Sequence, residues 1–128
     1  ESFDIVLNVE SSHCYGKIPL FLAEVKRALK PGGFFLWADF RLAKEMSVLF
    51  NCFLDSGLVK VREKNITDCV LNALKKMSKK HKGKIKKHVP KLVQPVFMSY
   101  AGVEGSGVYD SFVQNKLIYK SATFKKPK

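Results

Sequence analysis

Apolar residues recur along the chain with two kinds of spacing, which predict a strand, a helix and a second strand in its first third. The run Ile5-Val6-Leu7 carries two β-branched residues and predicts a short strand buried on both faces, as in a parallel sheet. Between Leu20 and Leu29 apolar residues return every three or four positions, which predicts an amphipathic helix. Lys30-Pro31-Gly32-Gly33 ends that helix, and Phe34–Ala38 predicts another buried strand. Together these elements form a βαβ unit with parallel strands.

The same argument extends to the rest of the chain. A second amphipathic helix is predicted over about Leu42–Ser56, and the alternating segment Leu58–Glu63 predicts a strand near a sheet edge. Thr67 is suited to cap a third helix. A short helix over about Val108–Asn115 then leads to a last strand, Leu117–Phe124. With 128 residues the chain forms at most one domain, and its alternating elements predict the α/β class.

Polar side chains follow the first predicted strand immediately. They include an amide, a carboxylate, two hydroxyls and an imidazole, on Asn8, Glu10, Ser11, Ser12 and His13. An open parallel sheet binds ligands beyond the carboxyl ends of its strands, so this turn is predicted to form one wall of a binding crevice. The alternative is a solvated turn that caps the next helix.

The cysteines and the apolar runs restrict the setting of the protein. Cys14, Cys52 and Cys69 are widely spaced and the histidines do not cluster with them, so neither a zinc site nor a disulfide framework is predicted. A reduced, cytoplasmic setting and a site without metal are expected. These residues show no secretory signal pattern and no apolar run near the ~20 residues that a membrane helix needs. The opening residues, which lack Met, are those expected of a fragment or a processed chain.

Three segments resemble one family. Phe3–Tyr15, the helix Phe21–Leu29 and the turn Lys30-Pro31-Gly32-Gly33 resemble the second half of a class I S-adenosylmethionine-dependent methyltransferase of the type 11 group. Glu10–Tyr15 and Ala38–Arg41 are similar to the phthiotriolone dimycocerosate methyltransferase-like members of that group. The resemblance implies S-adenosyl-L-methionine as the cofactor. It also implies transfer of a methyl group to a small, lipid-like acceptor, at a hydroxyl oxygen.

The resemblance also implies a Rossmann-like methyltransferase sheet. The two strands of the βαβ unit would be its fourth and fifth, Leu58–Glu63 its sixth, and Leu117–Phe124 its antiparallel seventh, inserted beside the fifth. Residues 1–128 would then be the C-terminal part of one methyltransferase domain, with 67–116 a helical, lid-like insertion. Strands one to three would be absent, and with them the rest of the family's cofactor site. The fragment is therefore expected to be inactive alone.

Candidate site residues follow from their places in this implied sheet. His13, just past the first strand, is the candidate general base, and the alternative is that it hydrogen-bonds the turn and helps to hold the cofactor. The residues that lie where the family's chain passes the methionine part of the cofactor are Asn8, Val9 and Glu10. For Glu10 the alternative is capping or structural pairing. The residues that lie at the ends of neighbouring strands and are candidates for substrate contact are Tyr15, Phe40 and Arg41.

Positive charge is concentrated in one segment. The net charge is +12, and nine lysines occur from Lys75 to Lys91, in a stretch that has no acidic residue between Asp68 and Glu104. This basic segment fits the solvated face of a helical lid, a surface for an acidic substrate or an anionic membrane, or a nucleic-acid site. Few aromatic residues interleave the lysines, so specific nucleic-acid binding is not expected. A non-catalytic basic binding module for nucleic acid or anionic surfaces is the alternative to the enzyme.

Overall fold

The computed structural model describes residues 2–128, which divide into two compact units. The first unit runs up to Ile66 and includes Ile118–Lys128, and the second is Thr67–Leu117. The elements before the second unit are β1 (Phe3–Val9), a 3₁₀ turn (Ser12–Cys14), α1 (Ile18–Ala28), β2 (Leu29–Leu42), α2 (Ala43–Asp55) and β3 (Val59–Asn65). The elements that follow are α3 (Thr67–His88), a 3₁₀ turn (Lys91–Val93), α4 (Gln94–Tyr100), α5 (Gly107–Val113) and β4 (Leu117–Lys125).

The strands of residues 2–128 form a four-stranded sheet in the order β1-β2-β4-β3. β1 and β2 pair in parallel, which confirms the predicted βαβ unit. β4 lies between β2 and β3 and runs antiparallel to β3, as the resemblance implied for the last strand. β3 lies at an edge of the sheet, as its alternating pattern predicted.

The core of the first unit lies between α1, α2 and one face of the sheet. Leu22 of α1, Phe35 of β2 and Phe53 of α2 are members of one buried apolar cluster. Trp37 is also buried, as predicted, and its ring meets that of Phe53 edge-on with the centroids 5.3 Å apart. Each such side chain contributes about 1.5–3 kcal/mol through the apolar surface that it removes from water.

The prediction that the first strand is buried on both faces is wrong for this chain. β1 has a neighbour only on the β2 side among the described strands, and Ile5 and Leu7 are 58% and 67% exposed. Val6 and Asn8 point to the other face of the pleat and are more buried. An apolar run therefore predicted the strand correctly, but the run alone does not supply a second covering layer.

The predicted second strand is longer than expected and includes the Pro-Gly-Gly turn. In the pairing of β1 with β2, Phe3 lies opposite Leu29 and Ile5 lies opposite Phe34, so the residues between bulge out of the ladder. Gly32 has a φ of 79°, which glycine adopts without strain. Its N–H donates to Lys126 O at 2.9 Å, and this bond ties the bulge to the chain after β4.

The second unit is helical, and its longest helix contains most of the basic segment. α3 continues through Gly83 to His88, because partly buried residues such as Leu74 and Ile85 recur on its inner face. Ser78 on that face donates to Leu74 O at 2.9 Å and accepts from the N–H of Glu104 at 2.7 Å. In the described part of the chain, no helix has the length and apolar character required to cross a membrane.

Candidate active site

The candidate site lies at the carboxyl ends of the two parallel strands. Val9 at the end of β1 lies opposite Ala38 in β2, and the N–H of Glu10 donates to Ala38 O at 2.9 Å. The polar turn after β1 and the residues Asp39–Arg41 are consequently side by side. This is the edge at which open parallel sheets bind their ligands.

Asp39 is the centre of the hydrogen-bond network, although its side chain is 0% exposed. Its Oδ2 accepts from Ser12 Oγ at 2.7 Å and from the N–H of His13 at 2.9 Å. Its Oδ1 lies 2.8 Å from His13 Nδ1 and accepts from the N–H of Phe40 at 2.9 Å. A buried carboxylate is tolerated only when its oxygens are satisfied in this way.

Ser12 connects Asp39 to the core. It is almost fully buried, and its Oγ accepts a hydrogen bond from Trp37 Nε1 at 2.9 Å while donating to Asp39. Arg41 holds the same turn from the other side, because its Nη2 donates to Ser12 O at 2.6 Å and its Nη1 lies 3.8 Å from Asp39 Oδ2. The turn after β1 is thus fixed by side chains of β2.

His13 is the residue that this network orients. A carboxylate has no proton to donate, so the contact with Asp39 places the imidazole proton on Nδ1 and leaves Nε2 as an acceptor. The ring packs on Phe40 with the centroids 4.5 Å apart, and 29% of the His13 side chain is exposed. An imidazole held by a carboxylate through one nitrogen, on a side chain that is partly exposed, is suited to take a proton from a bound molecule.

Asn8, Ser11 and Tyr15 form a second cluster at the start of the turn. Asn8 Nδ2 donates to Ser11 Oγ at 2.9 Å and to Tyr15 Oη at 3.2 Å, and the two hydroxyls share a hydrogen bond of 2.8 Å. Asn8 Oδ1 is buried and has no hydrogen-bond partner within residues 2–128. An acceptor buried without a partner has a free-energy cost that a bound donor would relieve.

Glu10 has an unusual backbone conformation, with a φ of 48°, a value that residues other than glycine seldom adopt. Its carboxylate accepts from Tyr119 Oη at 2.7 Å, and Tyr119 lies in β4. Burial, followed by the hydrogen bond to Glu10, raises the pKa of the Tyr119 hydroxyl above its usual range. Strain of this kind is retained where the surroundings fix it, and it is concentrated at functional sites.

The structure brings some of the predicted site residues into direct contact and separates others. His13, Phe40 and Arg41 lie around Asp39, whereas Asn8 contacts Tyr15 and Glu10 contacts Tyr119. Val9 contributes to the site through its place in the ladder, and its side chain is exposed. The functional roles predicted for these residues stay predictions.

Sequence reasoning missed two residues of the network, Asp39 and Tyr119, although Asp39 directly follows the predicted strand Phe34–Ala38. Ser12 was predicted as part of the polar turn, but not as the link between Trp37 and Asp39. The position of Asp39 in the sequence could have identified it as a site residue, because the carboxyl ends of adjacent parallel strands lie side by side. No feature of the sequence could have identified Tyr119, since it lies 109 residues from its partner Glu10.

The chain is similar to known methyltransferases in sequence. A family model described as a methyltransferase domain matches residues 1–37. A probable phthiotriol/phenolphthiotriol dimycocerosates methyltransferase 2 of Mycobacterium ulcerans is 39% identical over 106 residues, which are 83% of this chain and 41% of that protein. A fatty-acid O-methyltransferase of Mycolicibacterium smegmatis is 30% identical over 127 residues, which are 99% of this chain and 46% of that protein. The chain therefore spans about half the length of these relatives.

The fold of the chain is also similar to that of solved methyltransferase structures. Phosphoethanolamine N-methyltransferase 2 of Haemonchus contortus, solved in complex with S-adenosyl-L-methionine, superposes with a TM-score of 0.77. The match covers 98% of this chain and 34% of that one at 14% identity, so it shows the fold alone. The chain is similar to class I S-adenosylmethionine-dependent methyltransferases in sequence and in fold. The Asp39–His13 pair and the cluster around Asn8 lie at the carboxyl ends of the paired residues of β1 and β2, the edge at which open parallel sheets bind ligands.

Proposed function

We propose that this protein transfers a methyl group from S-adenosyl-L-methionine to a hydroxyl oxygen of a lipid-like acceptor, with His13 as general base. The observation that carries the proposal is the 2.8 Å contact between His13 Nδ1 and the buried carboxylate of Asp39. A hydroxyl has to lose its proton as its oxygen attacks the methyl group. The free Nε2 of His13 is suited to accept that proton.

The residues after β1 fit the amino-acid part of the cofactor. Its ammonium group needs acceptors, and Asn8 Oδ1 is a buried acceptor with no partner in the described residues. Glu10 adds a carboxylate on the same turn. We assign Asn8, Val9 and Glu10 to this part of the site. When bound, S-adenosyl-L-methionine supplies an electrophilic methyl group on a sulfonium, which is a good leaving group.

The remaining residues of the network orient His13. Asp39 fixes the tautomer and direction of the imidazole, and Phe40 packs on the ring. Ser12 and Arg41 hold the turn on which His13 lies. Positioning of this kind is the main requirement of methyl transfer, because the nucleophile has to approach in line with the bond that breaks.

The names of the relatives support a lipid-like acceptor and leave two kinds of oxygen to distinguish. One relative is named for phthiotriol and phenolphthiotriol dimycocerosates, and the other for fatty acids. A fatty-acid carboxylate is already ionised at neutral pH, so its methylation needs no base. A hydroxyl does need one, and the arrangement of His13 and Asp39 therefore favours the hydroxyl.

The test is the substitution His13→Gln, made in a protein that also carries strands one to three of the implied sheet, and assayed with a phthiotriol dimycocerosate and with a long-chain fatty acid. We expect methylation of the hydroxyl to fall by about 10²–10⁴-fold and any methylation of the carboxylate to change little. His88→Gln, in the basic segment, is the matched control. Calorimetric titration with S-adenosylhomocysteine checks that the His13 variant still folds and binds.

Two results would contradict the proposal. Full activity of His13→Gln on the hydroxyl acceptor would show that His13 is not the base. Failure of a folded protein that carries strands one to three as well as this chain, both to bind S-adenosylhomocysteine and to methylate either acceptor, would exclude methyl transfer and would favour the non-catalytic basic module.

A further inference from the structure

The second unit exposes a run of lysines and, directly after it along the chain, several apolar side chains. We propose that this unit, Thr67–Leu117, binds the surface of an anionic lipid bilayer through the lysines of α3 and the apolar side chains that follow it. We call these residues the basic-apolar surface. Its basic members, all exposed, are Lys75, Lys76, Lys79, Lys80, Lys84, Lys86, Lys87 and Lys91, and its apolar members are Leu92, Val96, Phe97 and Tyr100.

The lysines of this surface are electrostatically uncompensated. The inner face of α3 is formed by residues such as Leu74, Ser78 and Ile85, so the lysines point away from the packed side of the helix. Across residues 2–128, the ion pairs of the structure use other cations, and none uses a lysine between Lys75 and Lys91. This face therefore presents a positive field that an anionic surface would complement.

The apolar members are more exposed than most side chains of their kind in a folded domain. Leu92 and Tyr100 are 91% and 93% exposed, and Val96 and Phe97 are exposed as well. Val96 and Tyr100 are four residues apart in α4, which places them on the same face of the helix. A cluster of apolar side chains in water is the signature of a surface that becomes covered by an apolar medium or a partner.

The two halves of the surface are adjacent through the chain itself. Lys87 and Leu92 are five residues apart, so their Cα atoms lie within about 18 Å of each other. Lys82 of α3 also lines one cavity together with Pro95 and Met98 of α4. A basic helix joined to a short apolar one resembles the segments that lie in the plane of a membrane interface, with lysines at the headgroups and apolar side chains among the acyl chains.

The composition favours a bilayer over a nucleic acid. No arginine occurs after Arg62, although arginine is the side chain that best recognises bases and phosphates in two-point contacts. Leu92 and Val96 have no hydrogen-bonding group and no flat face on which a base could stack. Tyr100, by contrast, is of a residue type that is enriched at membrane interfaces. The inference concerns binding alone, and it does not rest on the proposed methyl transfer.

The test is co-sedimentation of the purified protein with lipid vesicles, without cofactor or acceptor. One set of vesicles contains equal parts of phosphatidylcholine and phosphatidylglycerol, and the other contains phosphatidylcholine alone. We expect binding to the anionic vesicles that weakens as salt is added, and little binding to the neutral ones.

Three variants separate the contributions to this binding. Each lysine near an anionic surface strengthens binding about fivefold, so the triple change Lys84→Gln, Lys87→Gln and Lys91→Gln should weaken it on the order of 100-fold. Removal of three of the four apolar members by Leu92→Ser, Val96→Ser and Tyr100→Ser should also weaken it on the order of 100-fold and leave the salt dependence in place. The matched control removes three lysines elsewhere, through Lys44→Gln, Lys64→Gln and Lys128→Gln, and should bind nearly as the wild type does.

The outcomes decide the inference. It is overturned if wild-type protein binds neither kind of vesicle, or if neutral vesicles bind as well as anionic ones. Equal losses in the control and in the lysine variant would also overturn it, because net charge rather than this surface would then be responsible. Tight binding of a homopolymeric RNA with the same dependence on these lysines, without vesicle binding, would assign the surface to nucleic acid instead.

Discussion

Asp39→Asn is the substitution that tests the candidate site most directly, because it keeps the shape of the side chain and removes half of its acceptors. Oδ1 of Asp39 faces Nδ1 of His13 and the N–H of Phe40, and Oδ2 faces the hydroxyl of Ser12 and the N–H of His13. An amide has one oxygen and one NH₂ group. In either orientation, the NH₂ group would point at a backbone N–H, of Phe40 or of His13, that has lost its acceptor.

The magnitude follows from these contacts. One buried N–H left without an acceptor costs about 1–3 kcal/mol. The charge-assisted bonds to the other donors are also weakened, and the Arg41 guanidinium, 3.8 Å away, loses its carboxylate neighbour. We therefore expect the free energy of unfolding to fall by about 3 kcal/mol in total.

The effect on activity depends on the orientation of the new amide. If its NH₂ group replaces Oδ1, it donates to Nδ1 of His13 and moves the imidazole proton to Nε2. His13 then has no acceptor for the substrate proton, and methylation of a hydroxyl should fall by about 10²–10⁴-fold. If the NH₂ group replaces Oδ2, it donates to Ser12, and the loss of activity is smaller.

Urea unfolding followed by the fluorescence of Trp37 measures the change in the free energy of unfolding. Trp37 is the single tryptophan of the chain and donates to Ser12, so its emission reports on this network. Asp4→Asn is the control, because Asp4 is an exposed carboxylate paired with Lys30 and its loss should cost less than about 1 kcal/mol. An Asp39→Asn protein within about 0.5 kcal/mol of the wild type, with unchanged methyl transfer, would refute the reasoning.

Two further predictions concern stability. Tyr119→Phe should lower the free energy of unfolding by about 1 kcal/mol near neutral pH. Because the pKa of Tyr119 is raised in the folded state, its contribution is present below the ordinary tyrosine pKa of about 10 and is lost as the pH rises above that value. Phenolate absorbance should show a late ionisation in the folded protein that is absent from the Tyr119→Phe variant; identical titrations would contradict the assignment. Gly33→Ala should cost about 1–3 kcal/mol in urea unfolding, since a Cβ there would lie 3.0 Å from both Asp4 O and Lys30 O. The control Gly16→Ala meets nothing within 4 Å, and equal stabilities of the two variants would exclude the close approach as the cause.

The sequence was sufficient to predict the βαβ unit and the antiparallel last strand, because these depend on local spacing and on the resemblance. It predicted the polar turn after β1 for the same reason. It did not predict which side chains the turn would meet. His13 and Asp39 are 26 residues apart, and they meet only because Val9 is in register with Ala38. The spacing of residues within β1 or within β2, taken separately, does not specify the register between the two strands.

Burial was predicted well where a layer covers the strand and wrongly where none does. The pattern of Ile5-Val6-Leu7 shows that the strand can be buried on both faces, yet Ile5 and Leu7 are exposed. A hydrophobic pattern indicates which side chains are suited to burial, whether or not another element covers them. The covering element itself has to be supplied by other residues, and in β1 only the face of Val6 and Asn8 is so supplied.

The burial of Asp39 could have been predicted from the alternation of residues in β2. Phe35, Trp37 and Asp39 are two residues apart in turn, so they point to the same face of the strand. The first two are buried core residues, and a carboxylate in phase with them at the strand end is buried by the same layer. Such a group requires several donors, and the nearest source of donors is the turn that leaves the neighbouring parallel strand. The alternation that makes Trp37 a core residue therefore also predicts that Asp39 is paired with the turn carrying His13.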